Sequence, residues 1–276
     1  MNKLQLIAEI KRKKSFLCIG LDSDIEKIPH CLLGYANPVL EFNKRIIEAT
    51  QDLCVAYKPN TAFYEQRGVV GWQTLIETME AIPEGIFSIA DAKRGDIGNT
   101  SKMYAQAFFD KDSAGMSVDA VTVAPYMGMD SVLPFLSFKD KWTILLALTS
   151  NEGSNDFQQL RTNGKDVFEE VIIKSQQWGG DNQLMYVVGA THPTYFKKIR
   201  NLAPSHFLLV PGLGVQGGNL TDICQFGLND DCGLLVNASR SIIYASNENN
   251  FAEKARYEAE KIQLEMKSIL SERLGW

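Results

Sequence analysis

The chain has 276 residues, 45% of them hydrophobic and 22% charged, a composition that excludes a disordered or fibrous protein and supplies apolar material for a sizeable core. Its net charge of −5 leaves no basic footprint, so nucleic acid is not an expected partner, although one local basic pocket can still hold a small anion. No apolar stretch approaches the roughly 20 residues needed to cross a bilayer. The five cysteines are odd in number and form no C-x-x-C pair, which points to a reduced, cytoplasmic setting.

The opening MNKLQLIAEIKRKKS reads as a short amphipathic helix, with Gln5 and Glu9 interrupting any signal-peptide core. Eight short apolar runs follow, at 16–22, 53–60, 86–93, 120–125, 142–150, 184–190, 206–214 and 233–239. Between them lie stretches of helical periodicity, such as 39–51, 71–82, 167–178 and 251–270. Runs this short and continuously apolar predict strands buried on both faces of a parallel sheet. Strand–helix alternation makes right-handed βαβ units. Eight units without a linker predict an α/β protein, a (β/α)8 TIM barrel spanning residues 1–276 as a single domain. A doubly wound open sheet is the alternative, because periodicity does not reveal closure. No G-x-G-x-x-G follows the first run, which weakens a dinucleotide-binding reading.

The ends of the first three strands are charged. Residues two apart share a strand face, which pairs Lys58 with Asn60 and Asp91 with Lys93, while Asp22 closes the first strand. The C-terminal rim of a barrel is where active sites lie, and charges converging there must neutralise and hydrogen-bond one another. Singly, each has a plain structural reading: Asp22 as a turn former, Lys58 as a snorkelling side chain, Asp96 as the N-cap of the helix that begins at IGNTSKMYAQAF. The run DAKRGDIGNT packs four charges into six residues directly after a strand, which no simple turn requires.

Strands 7 and 8 end in VPGLGVQGGNL and VNASRSI. Barrels frequently bind phosphate between these two loops. The glycines admit main-chain contact, Gln216 adds a neutral donor and Arg240 a planar fork suited to phosphate. His30, His192 and His206 are scattered, with no pattern suited to a metal; His192, just past strand 6, is read as structural. Ser239 lacks a G-x-S-x-G elbow, which argues against a hydrolase triad.

DAKRGDIGNT, with the upstream GLD and YKPN and the downstream VPGLGVQGG and NASR, resembles the orotidine 5′-phosphate decarboxylase family from strand 1 to strand 8. Asn60 and the segment around TSNEGS resemble its larger bacterial, type 2-like branch. The resemblance implies conversion of orotidine 5′-phosphate to uridine 5′-phosphate and CO2, the last step of de novo UMP synthesis, with no metal or cofactor. It assigns Lys58, Asp91, Lys93 and Asp96 to an alternating charged tetrad. Asp96, followed by Ile97 and Thr100, would reach into the neighbouring subunit's site of a homodimer. Asp22, Lys58 and Thr100 would bind ribose and Ser150 the pyrimidine. Gln216 and Arg240 would take the phosphate, with Asn60 and Pro211 completing the substrate-binding set. No second domain for phosphoribosyl transfer is expected.

The implied chemistry agrees with the residues. Loss of CO2 from C6 leaves a vinylic carbanion, for which an ammonium held between two carboxylates is both electrostatic partner and proton donor; the carboxylates of Asp91 and Asp96 would keep Lys93 charged. A Schiff-base aldolase would want a neutral lysine instead. A magnesium-dependent sugar-phosphate barrel and a non-catalytic phosphoribosyl-binding barrel are the remaining alternatives.

Overall fold

In the computed structural model, which describes residues 1–190, 193–213 and 218–276, each apolar run contains a strand. These are β1 (Leu17–Gly20), β2 (Ala56–Lys58), β3 (Phe87–Arg94), β4 (Ala120–Val123), β5 (Trp142–Leu148), β6 (Leu184–Val188), β7 (Leu208–Pro211) and β8 (Leu234–Ala238). Each pairs in parallel with the next, and β8 returns to β1 through Leu17↔Val236, Cys18↔Asn237 and Ile19↔Ala238. The barrel is closed, which decides against the open sheet. β1, β2, β4, β6 and β8 are buried along their whole length, because helices cover the outer face while side chains fill the inner one. Cys18, Cys54, Cys224 and Cys232 are buried and Cys31 is exposed, all as free thiols.

The longer helices are α1 (Lys3–Lys13), α2 (Pro38–Thr50), α3 (Gly68–Glu80), α4 (Gly98–Phe109), α5 (Met129–Leu136), α6 (Val167–Ser175), α7 (Pro193–Leu202), α8 (Leu220–Gly227) and α9 (Phe251–Leu274). Local chemistry sets their starts. Asn2 and Gln5 form a capping box at α1, and Asn37 caps α2 ahead of Pro38. α3 begins three residues before the periodic pattern does, because Val69 and Val70 in its first turn face solvent. The plain structural reading of Asp96 as the cap of α4 does not hold: Ile97 is the N-cap, in extended conformation, and the Asp96 carboxylate accepts from the Ile97 amide at 2.7 Å. A small antiparallel pair, Arg161–Thr162 with Lys165–Asp166, was not foreseen. Its Asn163-Gly164 turn takes positive φ at both residues, and Asn-Gly is the sequence signal for such a hairpin.

α1 lies across the N-terminal end of the barrel. The Met1 ammonium pairs with Asp119, and Trp142 Nε1 donates to the Met1 carbonyl at 2.8 Å. Nearby, the Arg200 guanidinium donates to the carbonyls of Ala203, Pro204, His206, Gly227 and Gly233. α9 seals the seam beside β1 and β8, stacking Phe251 on Phe42 of α2 with ring centroids 5.3 Å apart. Among the described residues, no helix is long and apolar enough to cross a membrane.

Candidate active site

The centre of the C-terminal rim is a fault in the sheet. β3 and β4 run in register at Ala90↔Val121 and resume at Arg94↔Val123, so Asp91, Ala92 and Lys93 stand opposite Thr122 alone. A bulge of this kind re-aims side chains. Lys93 takes φ +47, a left-handed conformation that costs a non-glycine residue on the order of 1 kcal/mol. Asp91 and Lys93 do meet, as expected, but through this bulge rather than through regular strand alternation.

Asp91 is the hub. Its Oδ2 accepts from Lys58 Nζ at 2.9 Å, and its Oδ1 from Lys93 Nζ at 2.7 Å and from Thr122 Oγ1 at 2.9 Å. The Asp91 amide donates to Pro59 O, and its carbonyl accepts from Thr61 N, so the end of β2 fixes its backbone. Lys58 is 4% exposed, whereas 49% of the Lys93 side chain is open. Burial alone would push the Lys58 ammonium towards neutrality, but the charges of Asp91 and Asp22 outweigh it and hold its pKa above the ordinary lysine value. Burial likewise opposes ionisation of Asp91, yet the two lysines hold its carboxyl well below the usual carboxylate range. Lys58 and Asp91 therefore form a buried, fully ionised pair throughout the neutral range.

Beside this array lies a pocket of about 210 Å³ lined by residues from both sides of the barrel seam. Asp22, Lys58, Asn60, Asp91, Ser150, Pro211 and Arg240 all line it. Gly189 lets Ser150 approach, since a Cβ there would stand 2.8 Å from Ser150. The Asp22 carboxylate is half paired: Oδ2 accepts from Ser239 Oγ at 2.8 Å, while Oδ1 is buried with no hydrogen-bond partner. A buried carboxylate oxygen left so is a ready acceptor for a ligand hydroxyl. Arg240 is exposed at the start of the short helical turn Arg240–Ile243, and Leu213 N donates to Asn237 O beneath it.

Lys58, Asp91, Asp22, Asn60, Ser150, Pro211 and Arg240 thus share one pocket, with Lys93 at its edge through Asp91. Asp96, Ile97 and Thr100 do not line it. They lie on the outer rim, where Ile97 is 54% exposed, and no ion pair joins Asp96 to Lys93 within the chain. Gln216 and His192 lie outside the described residues. Sequence reasoning missed Thr122 and Asn237 and dismissed Ser239. Asn237 accepts from the Cys18 thiol at 3.5 Å and lines the pocket floor. Asn237, a polar residue inside an otherwise apolar strand, was the available signal.

Fold and site together define a (β/α)8 barrel with a lysine–aspartate array at its C-terminal rim. Residues 15–255 match the model of the orotidine 5′-phosphate decarboxylase / HUMPS family. The orotidine 5′-phosphate decarboxylase of Phocaeicola vulgatus is 57% identical over 274 residues, which are 98% of this chain and 99% of that protein. Among solved structures, the OMP decarboxylase of Leishmania donovani is 37% identical with a TM-score of 0.78, covering 96% of this chain and 99% of that one. The UMP synthase of the same organism is 38% identical with a TM-score of 0.81; the match covers 94% of this chain but 56% of that longer one. The chain belongs to the orotidine 5′-phosphate decarboxylase / HUMPS family.

Proposed function

We propose that this chain decarboxylates orotidine 5′-phosphate, giving uridine 5′-phosphate and CO2. The observation that carries the reading is Asp91 pinned between Lys58 and Lys93 beside a pocket whose lining also includes Arg240. When the bond from C6 to the carboxylate breaks, its electron pair stays on C6. The Lys93 ammonium stabilises that pair and then delivers a proton to C6. Half-exposed, Lys93 regains its proton from water. Asp91 holds Lys93 in place and bears on the departing carboxylate. The step consumes one proton and leaves no electrons to be passed on. A buried Lys58 whose charge is stabilised by two carboxylates is poorly suited to Schiff-base chemistry, which needs the free amine.

Arg240, Pro211 and the main chain at Gly212 and Leu213 serve the phosphate end, with Gln216 as a further donor. Asp22, through its unpaired oxygen, and Lys58 take the ribose hydroxyls; Ser150 and Asn60 orient the base. The absorbance change as orotidylate becomes uridylate, measured with EDTA present, tests the activity. An inactive, folded protein would overturn the reading.

The whole of residues 1–276 acts as one domain, in the cytoplasm, where five unpaired cysteines persist as thiols. It works as a homodimer in which Asp96, Ile97 and Thr100 complete the partner's site. Exposed apolar side chains at the start of α4, along α4 and α5 and in the loop before α5 support that assembly: Ile97, Met103, Tyr126, Met129 and Leu133. The dimer makes a quantitative prediction. Lys93→Ala and Asp96→Ala homodimers should each be nearly inactive. After subunit exchange, half the dimers are mixed, and one site in each carries both lesions while the other carries neither. Roughly a quarter of all sites should become wild type by this symmetry. Mass spectrometry establishes the heterodimer; no recovered activity would refute the shared site.

A further inference from the structure

The bulge in β3 needs something to hold it, and the structure assigns that task to a residue with no place in the charged array. We propose that Thr122 is a positioning residue for decarboxylation, setting the direction of the Lys93 ammonium by tying both ends of Lys93 to one point; this rests on the reaction proposed above. Thr122 is 1% exposed and stands alone opposite the three bulged residues. Its Oγ1 accepts from the Lys93 amide at 2.9 Å and donates to Asp91 Oδ1, also at 2.9 Å. The same Oδ1 accepts from Lys93 Nζ at 2.7 Å.

These contacts close a ring: Lys93 N–H to Thr122, Thr122 O–H to Asp91, and Asp91 back to Lys93 Nζ. The hydroxyl has one proton, and Asp91 takes it, so the Lys93 amide meets a lone pair. That amide would otherwise have no ladder partner, since regular pairing with β4 returns only where Ala124 N donates to Arg94 O at 2.8 Å. The ring therefore fixes the left-handed backbone of Lys93 and one oxygen of its carboxylate partner together. Lys58 holds the other oxygen. With the hydroxyl gone, the amide is unpaired, the bulge relaxes, and the half-exposed lysine side chain samples directions away from C6.

Thr122→Val keeps the shape and removes both hydrogen bonds; Thr122→Ser keeps the hydroxyl. Both would be assayed against wild type for kcat, KM for orotidylate, UMP binding and thermal midpoint. The Val variant should lose on the order of ten- to a hundredfold in kcat, the scale of a misaligned catalytic group. Its KM and UMP affinity should stay within about threefold, since Thr122 lies outside the pocket lining, and Ser should recover most of kcat. A folded Val variant with kcat within threefold of wild type would overturn the proposal, as would a Ser variant no better than Val. Val and Ser variants that both fail to fold would assign Thr122 to the fold and overturn it too. Wild-type protein without turnover would instead remove the reaction on which the proposal rests.

Discussion

The two ends of the barrel bury charge in different ways. At the N-terminal end the charges are closed off. Arg200 donates to five main-chain carbonyls, and Asp119 accepts from the Met1 ammonium and from both the amide and hydroxyl of Ser88. At the C-terminal end the charged groups keep open valences. Asp22 Oδ1 has no partner, Lys93 is half in solvent, and Arg240 stands at the rim. Closed networks hold loops and strand ends together; open ones are held ready for something that arrives later. Burying a charge is costly at either end, and what differs is whether the chain itself completes the hydrogen bonding.

That contrast can be broken first at Lys93. Lys93→Ala should lower kcat by at least a hundredfold, the usual scale for a proton-transferring group, while circular dichroism and thermal midpoint stay near wild type. Retention of more than about a hundredth of kcat would contradict the proton-donor role.

The opposite pattern is expected at the other end. Arg200→Met leaves buried carbonyls without donors and should cost about 4 kcal/mol in urea unfolding, with kcat per folded molecule unchanged within about twofold. A matching loss of kcat would show that the two ends are coupled.

His206, near the same end, sharpens the picture because it is buried with neither ring nitrogen hydrogen-bonded. Burial pushes its pKa down to about 4. The unfolded chain takes up this proton near pH 6.5 and the folded chain not until about pH 4, so stability is full above pH 6.5 and falls with pH across that window. At about 1.4 kcal/mol per pH unit the loss reaches up to about 3 kcal/mol. His206→Leu should flatten this part of the profile, read as the difference between urea midpoints of the two proteins at pH 7 and 4.5. Parallel profiles would show that His206 gains its proton in the folded state.

The smallest effect belongs to the rim. Arg240→Ala should lower kcat/KM for orotidylate by about thirtyfold, the range of one charge-assisted hydrogen bond. Activity on the phosphate-free nucleoside should change little, since a phosphate contact helps only a substrate that carries phosphate. Equal losses on both would move Arg240 into a structural role.

Much of this was legible in the sequence because barrel strands are short, apolar on both faces and interrupted by charge only where they reach the rim. FLCIGLD and IFSIADAK state both the strand and its functional end. Thr122 was hidden for a physical reason: a β-branched residue in AVTV reads as ordinary strand, and its meaning depends on a bulge in the neighbouring strand. Ser239 was hidden similarly, since its partner Asp22 lies 217 positions away. For Asp96 the pattern alone left the plain alternative of a cap open, because an acidic residue before a helix resembles one; the chain instead enters α4 through the extended Ile97.

The seam where β8 meets β1 joins positions 17 and 236, and pairing across such a separation is slow to form because most of the chain must first be brought together. During synthesis the sheet therefore stays open at both margins until the last strand emerges. In that interval β1 and β7 present unpaired edges able to recruit other chains. The pocket shares this timetable. Asp22 comes from just past the first strand and Ser239 and Arg240 from just past the last, so a nascent chain can hold the Lys58–Asp91–Lys93 array while the pocket beside it is still incomplete. Ligand binding then rewards closure itself, and a nucleotide present during refolding should raise the yield of closed barrels over aggregates.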